Sequence, residues 1–263
     1  MISSLRRKLS RIFEDIFIIR RKPKYSRAVL PSGAVLNGVV CYNEYGGYFT
    51  PLSSQQRPAI QALFKGEVFE PDTIKFLREN CGEGDIIHAG VFFGDFLPGL
   101  SGALSGTAKV WAFEPNPENY RCAQITCLIN GLGNIHLTNA GLGEKKETTS
   151  MLVESEAGVS LGGASKILKD DQKGRTLDVS IVRTDDVIPT DRRIAVLQLD
   201  VEGYEKEALN GGLETIKRCK PILILEDNDK IIDSAWFTEN IRAIGYEVRG
   251  KIHDNTLLTI KER

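Results

Sequence analysis

Residues 85–96 read Asp85-Ile86-Ile87-His88-Ala89-Gly90-Val91-Phe92-Phe93-Gly94-Asp95-Phe96, and they limit the fold more than any other stretch of the chain. Ile86 and Ile87 begin a short apolar run, and Gly90 and Gly94 permit a tight turn with close backbone approach. Phe96, Leu97, Leu100 and Leu104 then recur at helical spacing. Further on, Lys109-Val110-Trp111-Ala112-Phe113-Glu114-Pro115-Asn116 reads as a second buried strand that ends in an acid. A β-α-β unit with glycines in its first turn and a carboxylate at the tip of its second strand is how open α/β folds hold a nucleoside. The turn admits the ligand, and the acid accepts from both ribose hydroxyls. Each such charge-assisted bond contributes roughly 1.5–3 kcal/mol. Glu114 is thus the candidate ribose ligand.

The same unit serves flavin and nicotinamide folds, so the glycine spacing matters. Gly90 and Gly94 stand three residues apart without the G-x-G pair that seats a pyrophosphate on a helix N-terminus, and the chain has no G-x-x-x-x-G-K-[ST] loop. A diphosphate is disfavoured. A nucleoside with a small non-phosphate tail, such as S-adenosylmethionine (SAM), fits better than a dinucleotide.

A near-neutral balance, net −1 over 263 residues, gives no global case for nucleic acid or an anionic surface, so any such partner must meet a local patch. No run of eighteen apolar residues suggests a membrane span. Five cysteines without a C-x-x-C pair fit reduced core thiols in a cytoplasmic protein rather than a disulfide frame or zinc site. Cys122 and Cys127 read as packing residues.

Residues 2–22 are expected to form a basic amphipathic helix. Leu5, Leu9, Ile12, Phe13, Ile16 and Ile19 trace one face, with Arg6, Arg7, Lys8, Arg11, Arg20, Arg21 and Lys22 around it. It is read either as a terminal helix packed on its own domain or a second subunit of a homo-oligomer, or as a contact with the inner membrane surface. Short β-like runs follow between residues 28 and 54, then helices over 55–64 and 72–80. These eighty residues read as an N-terminal extension (1–80) of one α/β domain (81–263) rather than a separate domain.

Asn116 with Pro117 at the first helical position caps a helix to Asn130, which Gly131 stops. Residues 135–138 form a third strand, and Asn139 and Ala140 at its end lie where an adenine would rest. Two β-like runs, 150–153 and 176–182, flank a Gly-rich stretch at 158–165, read either as a loop closing on substrate or as an exposed loop. Two further buried strands end in Asp200 and Glu226, followed by Val201-Glu202-Gly203-Tyr204-Glu205 and by Asp227. Glu114, Asp200 and Glu226 therefore share the carboxyl edge of a mainly parallel sheet, where ligands of open α/β sheets gather. A helix over 234–244 and a hairpin of residues 246–248 and 256–260 close the chain.

Phe113-Glu114-Pro115-Asn116-Pro117, Asn130-Gly131-Leu132, Asn139-Ala140-Gly141-Leu142-Gly143, Thr184-Asp185-Asp186 and Leu199-Asp200-Val201-Glu202-Gly203-Tyr204-Glu205 together resemble the FkbM family of SAM-dependent methyltransferases over about residues 45 to 260. The resemblance implies a Rossmann-like class I methyltransferase: a doubly wound, mainly parallel seven-stranded sheet with a C-terminal antiparallel hairpin. It implies O-methylation of a small metabolite or glycan, with Glu114 on the ribose and the turn of residues 88–96 facing the methionine part. His88, Ala89, Gly90, Phe92, Gly94, Asp95, Phe96, Glu114, Pro115, Asn116, Asn139, Ala140 and Asp200 are the candidate cofactor contacts. The chain departs from the family where Asp-x-Gly-Ala-Asn is usual and His88-Ala89-Gly90-Val91-Phe92 stands. His88 can bond the cofactor or brace the turn, and Asp95 can supply the missing charge.

Methyl transfer also needs the acceptor hydroxyl deprotonated. Asp200 or Glu202 is the candidate base, and a divalent cation such as magnesium on Asp200, Glu226 and Asp227 is the alternative. His253 is a further candidate base or a solvated turn residue. Two other classes share the core. An RNA-modifying methyltransferase would carry a basic groove with aromatics, and a non-catalytic nucleoside-binding module would need no acid at Asp200 or Glu202.

Overall fold

A computed structural model describes residues 24–29, 35–168 and 173–261. The helix expected at 2–22 lies outside the described residues. An antiparallel meander comes first, β1 (Lys24–Val29), β2 (Val35–Asn43) and β3 (Gly46–Pro51), in the order β1-β2-β3. Its first strand was not expected, because Lys24-Tyr25-Ser26-Arg27 carries no apolar run; it is held by pairing to β2. Helices α1 (Pro58–Phe64) and α2 (Pro71–Asn80) follow, each with proline in its first turn, where the missing N–H costs nothing. The meander packs on the rest of the chain: Tyr48, Phe49, Ile60 and Leu63 bury with Phe93 and Cys122. The Phe49 N–H donates to Thr126 Oγ1 (3.1 Å), and the Gly47 N–H to Asn130 Oδ1 (2.9 Å).

The central sheet starts with β4 (Asp85–Ala89), whose five residues are all buried. After the glycine turn, α3 (Leu97–Ser101) is shorter than the apolar spacing suggests, since Gly99 and Gly102 are poor helix formers. Next are β5 (Val110–Phe113), α4 (Pro117–Asn130) and β6 (Ile135–Thr138). The ends of α4 fall where the sequence puts them: Asn116 Oδ1 accepts from the Glu118 N–H at 3.0 Å, and Gly131 turns left-handed at φ 63°.

A second sheet is inserted at this point. It comprises β7 (Gly141–Leu142), β8 (Glu147–Ser155), β9 (Lys166–Ile167) and β10 (Gly174–Val182), ordered β7-β10-β8-β9. The main sheet resumes through α5 (Thr184–Val187), β11 (Ile194–Leu199), α6 (Glu205–Asn210), α7 (Leu213–Cys219) and β12 (Ile222–Glu226). The closing helix α8 (Ala235–Asn240) is capped by Ser234 and tightens to a 3-10 turn over Arg242–Ile244. The hairpin β13 (Tyr246–Ile252) and β14 (Asn255–Ile260) ends the fold.

The seven strands run β13-β14-β12-β11-β4-β5-β6. β12, β11, β4, β5 and β6 are parallel, and β14 is antiparallel to both its neighbours. Successive residues point to opposite faces. Ile87, Leu197, Leu199 and Leu223 therefore join the core on one face, and Ile86, Val110, Val196 and Ile224 the core on the other. Both faces are covered, as a parallel sheet requires. The expected doubly wound sheet with its antiparallel hairpin is borne out.

At the amino edge, away from the strand tips that face ligand, Asp85 is 1% exposed. It accepts from Trp111 Nε1 (2.7 Å), the Lys109 N–H (2.9 Å) and Arg192 Nε (2.7 Å). Removing one partner of a buried pair leaves the other uncompensated, at a cost of about 3–5 kcal/mol. Asp85→Ala should lower unfolding stability by about 3 kcal/mol in urea titration while leaving ligand affinity of the folded fraction unchanged.

Candidate active site

The parallel strands all stop at one edge, and the tips of four of them carry the residues of the site. Gly90 follows β4, Glu114 follows β5, and Asp200 follows β11; Glu226 is the last residue of β12. The Asp200 N–H donates to the Ala89 carbonyl (3.0 Å), and the Gly90 N–H to the Phe113 carbonyl (3.1 Å), so the ladder runs to the rim of the cleft. Gly90 has φ 89°, and a Cβ there would lie 1.8 Å from the Asp200 carbonyl oxygen. Only glycine fits. Gly94, at φ 86°, instead meets Leu97, Ala123 and Thr126, so it serves the packing of α4.

Glu114 is 4% exposed. One carboxylate oxygen accepts from the Phe92 N–H and the other from the Asn116 N–H, both at 2.8 Å. Phe92 takes a left-handed φ of 52°, rare for an aromatic residue, and this conformation accompanies the N–H bond to Glu114. Burial pushes the Glu114 pKa up to about 8, opposed by its bonds to the Asn116 and Phe92 N–H groups. Asn139 Nδ2 donates to the carbonyls of Glu114 (2.9 Å) and Pro115 (3.1 Å) and so holds this turn, while Ala140 is buried beside it.

Two adjoining cavities open here. The inner one, about 460 Å³, is lined by Ala89, Gly90, Glu114 and Pro115 from the main sheet and by Leu142, Met151 and Ile167 from the inserted sheet. Apolar walls on one side with the buried carboxyl of Glu114 beside them suit an adenine and its ribose. Leu142 belongs to the stretch of residues 139–143 that the sequence marks, whereas Met151 and Ile167 were not singled out, since isolated apolar residues give no sign of which face they join. The loop at 158–165 closes the inner cavity with Gly162, Gly163 and Ser165. It is tied down from two sides: Asn119 Nδ2 donates to the Gly162 carbonyl (3.1 Å), and Ser160 shares a hydroxyl bond with Ser54 (3.0 Å).

The outer cavity, about 780 Å³, takes its wall from His88, Phe92, Asp95 and Phe96, from Asp200, Glu202 and Glu226, and from Arg57, Glu70 and Asp254. His88, the residue that departs from the family pattern, is 2% exposed. Its ring stacks on Phe96 (centroids 5.3 Å, planes 11° apart), and Nδ1 is bonded to Gln198 Oε1. Burial lowers its pKa to about 4, with the Gln198 bond opposing, so the ring is neutral at pH 7. A polar residue inside an otherwise apolar strand, Gln198, was the available and unread signal for this pair.

Burial, followed by a hydrogen bond to Glu226 and that residue's charge, holds the Asp200 carboxyl well above the usual carboxylate range. Burial and then Glu226 raise Glu202, against Arg57 and Lys166; burial and then Glu70 push Asp95 up to about 7. Asp200, Glu202 and Glu226 each offer an oxygen within 4.8 Å of the others. Asp227 is not in that cluster: its Oδ1 accepts from the Ile231 N–H (2.6 Å). Asp254, not His253, of the hairpin turn reaches the wall. Glu205 is buried, and Oε1 takes the Gly203 N–H (3.1 Å), while Asp185 Oδ1 takes the Thr215 N–H (2.8 Å); both are braces of the fold.

The sheet order, the hairpin and a cleft at the strand tips make this a class I methyltransferase fold. The sequence model of the methyltransferase FkbM domain matches residues 80–248, well over half of the chain, and the protein belongs to the FkbM methyltransferase family, which is SAM-dependent. No curated protein matches the sequence. Among solved structures it is similar to the FkbM methyltransferase of Methylobacillus flagellatus, with 21% identity over 68% of this chain and 44% of that one and a TM-score of 0.48. This chain thus spans less than half of that protein's length. It is also similar to a SAM-dependent methyltransferase of Aquifex aeolicus (14% identity, 73% of this chain, 88% of that one, TM-score 0.40). A third is the M. jannaschii tRNA m1G37 methyltransferase (10%, 95%, 67%, 0.40).

The residues present fit SAM. Glu114 offers a buried acceptor beside apolar walls, the chemistry that ribose hydroxyls need, and the turn at Gly90 brings the tips of β4 and β11 together beside it. Glu114→Gln replaces one oxygen with an amide that faces an N–H donor, and each lost charge-assisted bond is worth roughly 1.5–3 kcal/mol. SAM affinity, measured calorimetrically, should fall at least ten-fold in this variant.

Proposed function

We propose that the chain transfers a methyl group from SAM to a hydroxyl of a small metabolite or glycan, and that Asp200, paired with Glu226, is the general base. The observation that carries this reading is that Asp200 and Glu202 line both cavities. A carboxylate with a raised pKa therefore stands where a cofactor in the inner cavity meets an acceptor in the outer one. SAM, when bound, supplies an electrophilic methyl group: the new O–C bond forms as the C–S bond breaks, and the thioether product leaves. The hydroxyl proton passes to an Asp200 oxygen. Glu226, hydrogen-bonded to Asp200, keeps that carboxyl basic and stabilises it once protonated. The walls hold the acceptor oxygen in line, and alignment of this kind is worth about 7–11 kcal/mol of barrier.

A carboxylate-lined wall repels phosphates, which supports a small acceptor over RNA. A module that only binds a nucleoside would not need paired acids at the junction. The candidate cofactor contacts divide accordingly: Ala89, Gly90, Glu114 and Pro115 toward the nucleoside, and His88, Phe92, Asp95 and Phe96 toward the methionine part. Asn116, Asn139, Ala140 and Gly94 act through the turns they hold. We assign the described residues up to 80, of which Arg57 and Glu70 line the outer cavity, to an acceptor-side extension, and the reducing cytoplasm as the compartment, in keeping with five free cysteines. Among the described residues no helix is long and apolar enough to cross a membrane.

The oxygens of Asp200, Glu202 and Glu226 are also close enough to hold magnesium. An ion there would polarise the acceptor oxygen. Turnover that survives dialysis against EDTA assigns these carboxylates to proton transfer alone; loss restored by magnesium assigns them to the metal.

Conversion of SAM to its demethylated product, S-adenosylhomocysteine (SAH), in the presence of polyhydroxylated acceptors tests the reaction. Asp200→Asn should reduce kcat by about 100-fold or more, the scale of general-base catalysis. Turnover unchanged in that variant would sink the assignment. Because the base is active only when ionised and its pKa is raised, kcat should climb with pH. The midpoint should lie well above the value near 4 of an ordinary carboxylate, and Glu226→Gln should shift it downward.

A further inference from the structure

The outer cavity carries more carboxyl groups than proton abstraction needs. Glu70, Asp95, Asp200, Glu202, Glu226 and Asp254 reach its wall from five separate stretches of chain, and Arg57 is the one cation among its lining residues. The chain as a whole is nearly neutral, at net −1, so this convergence does not follow from composition. Glu70, Glu226 and Asp254 line the outer cavity and not the inner one. Glu70 is fixed in place: Thr73 Oγ1 (2.9 Å) and Asn255 Nδ2 (3.1 Å) both donate to its Oε2, tying the extension to the C-terminal hairpin.

A second, independent group in the same wall asks for a hydrogen-bond donor. His88 is 2% exposed, and its Nε2 has no partner among the described residues. With the Gln198 amide oxygen facing Nδ1, the ring proton sits there, and Nε2 is a bare acceptor in the wall of the cavity. The imidazole is thus an acceptor set among carboxyl groups, and a buried acceptor without a donor costs about 1–3 kcal/mol. SAM would bring its sulfonium and ammonium to the side that His88 and Asp95 line. Glu70, Glu226 and Asp254 line the rest of the outer cavity without a cation from the cofactor.

We propose that the acceptor is a cationic polyol, an amino sugar or amino alcohol. Its ammonium is held by Glu70, Glu226 and Asp254, and its hydroxyl is presented to Asp200. An ammonium has three donors and no acceptor, which matches a wall of acceptors, and its charge replaces the missing counter-cation. The assignment rests on the methyl-transfer reading and names the acceptor class for that site.

The test uses the full chain saturated with SAH, titrated calorimetrically with glucosamine, galactosamine and kanamycin and with the N-acetylated form of each. Acetylation removes the charge and keeps the hydroxyls. At least one amine should bind ten-fold or more tightly than its acetylated partner. That preference should shrink to within about two-fold in the Glu70→Gln/Asp254→Asn double variant, with SAH affinity as the control for folding. Should the double variant fail to hold SAH, Asp254→Asn alone, at an exposed turn position, should still lower the preference by about three-fold. Equal, weaker or undetectable binding of every amine, with SAH binding intact, overturns the proposal and leaves methyl transfer standing. Absence of SAH binding by the unmodified chain would instead remove the methyl-transfer reading itself, and the acceptor class with it.

Discussion

The carboxylate of Glu114 holds the cleft in shape. Its two oxygens take the Phe92 and Asn116 N–H groups, so one side chain joins the turn after β4 to the turn after β5. Without that bridge Phe92 has no reason to hold a left-handed backbone, and the ring that faces Gly163 across the loop would move. The two backbone donors offset part of the cost of burying the acid, and burial still raises its pKa. The inner cavity, the loop over it and the junction with the outer cavity all adjoin this contact.

A matching constraint acts between β4 and β11. The Asp200 carbonyl comes so near Gly90 that no side chain is admitted, and this closeness carries the Asp200 carboxylate over the glycine turn. Two neighbouring strand tips thus set a turn without a side chain and a carboxyl group side by side at the rim of both cavities. Asp200 and Glu226 occupy adjacent strand ends, one step beyond the pairing of Leu199 with Leu225, so sheet register alone makes them neighbours.

How much of this can be read from sequence depends on the range of the interaction. The turn at 90–94, the cap at Asn116, the stop at Gly131 and the acids at the strand tips are local signals, written within a few residues of where they act. The doubly wound sheet with its closing hairpin was legible from the succession of such units and the family resemblance, while the strand order came with the structure. What escaped was long-range: Met151 and Ile167 under the adenine side, Gln198 behind His88, and Glu70 and Asp254 meeting across Asn255. Each is an ordinary residue in its own stretch and acquires meaning only when a distant segment is placed beside it. His88 shows the limit well, since its identity marked a departure while its neutral state depends on burial and on a strand more than a hundred residues away.

Gly163 lies in the wall of both cavities, on a loop anchored to the extension at Ser54 and to α4 at Asn119. One anchored loop therefore forms a boundary of two compartments at once. The same two hydrogen bonds that fix the wall of one cavity fix the wall of the other, so loss of either anchor would alter both together.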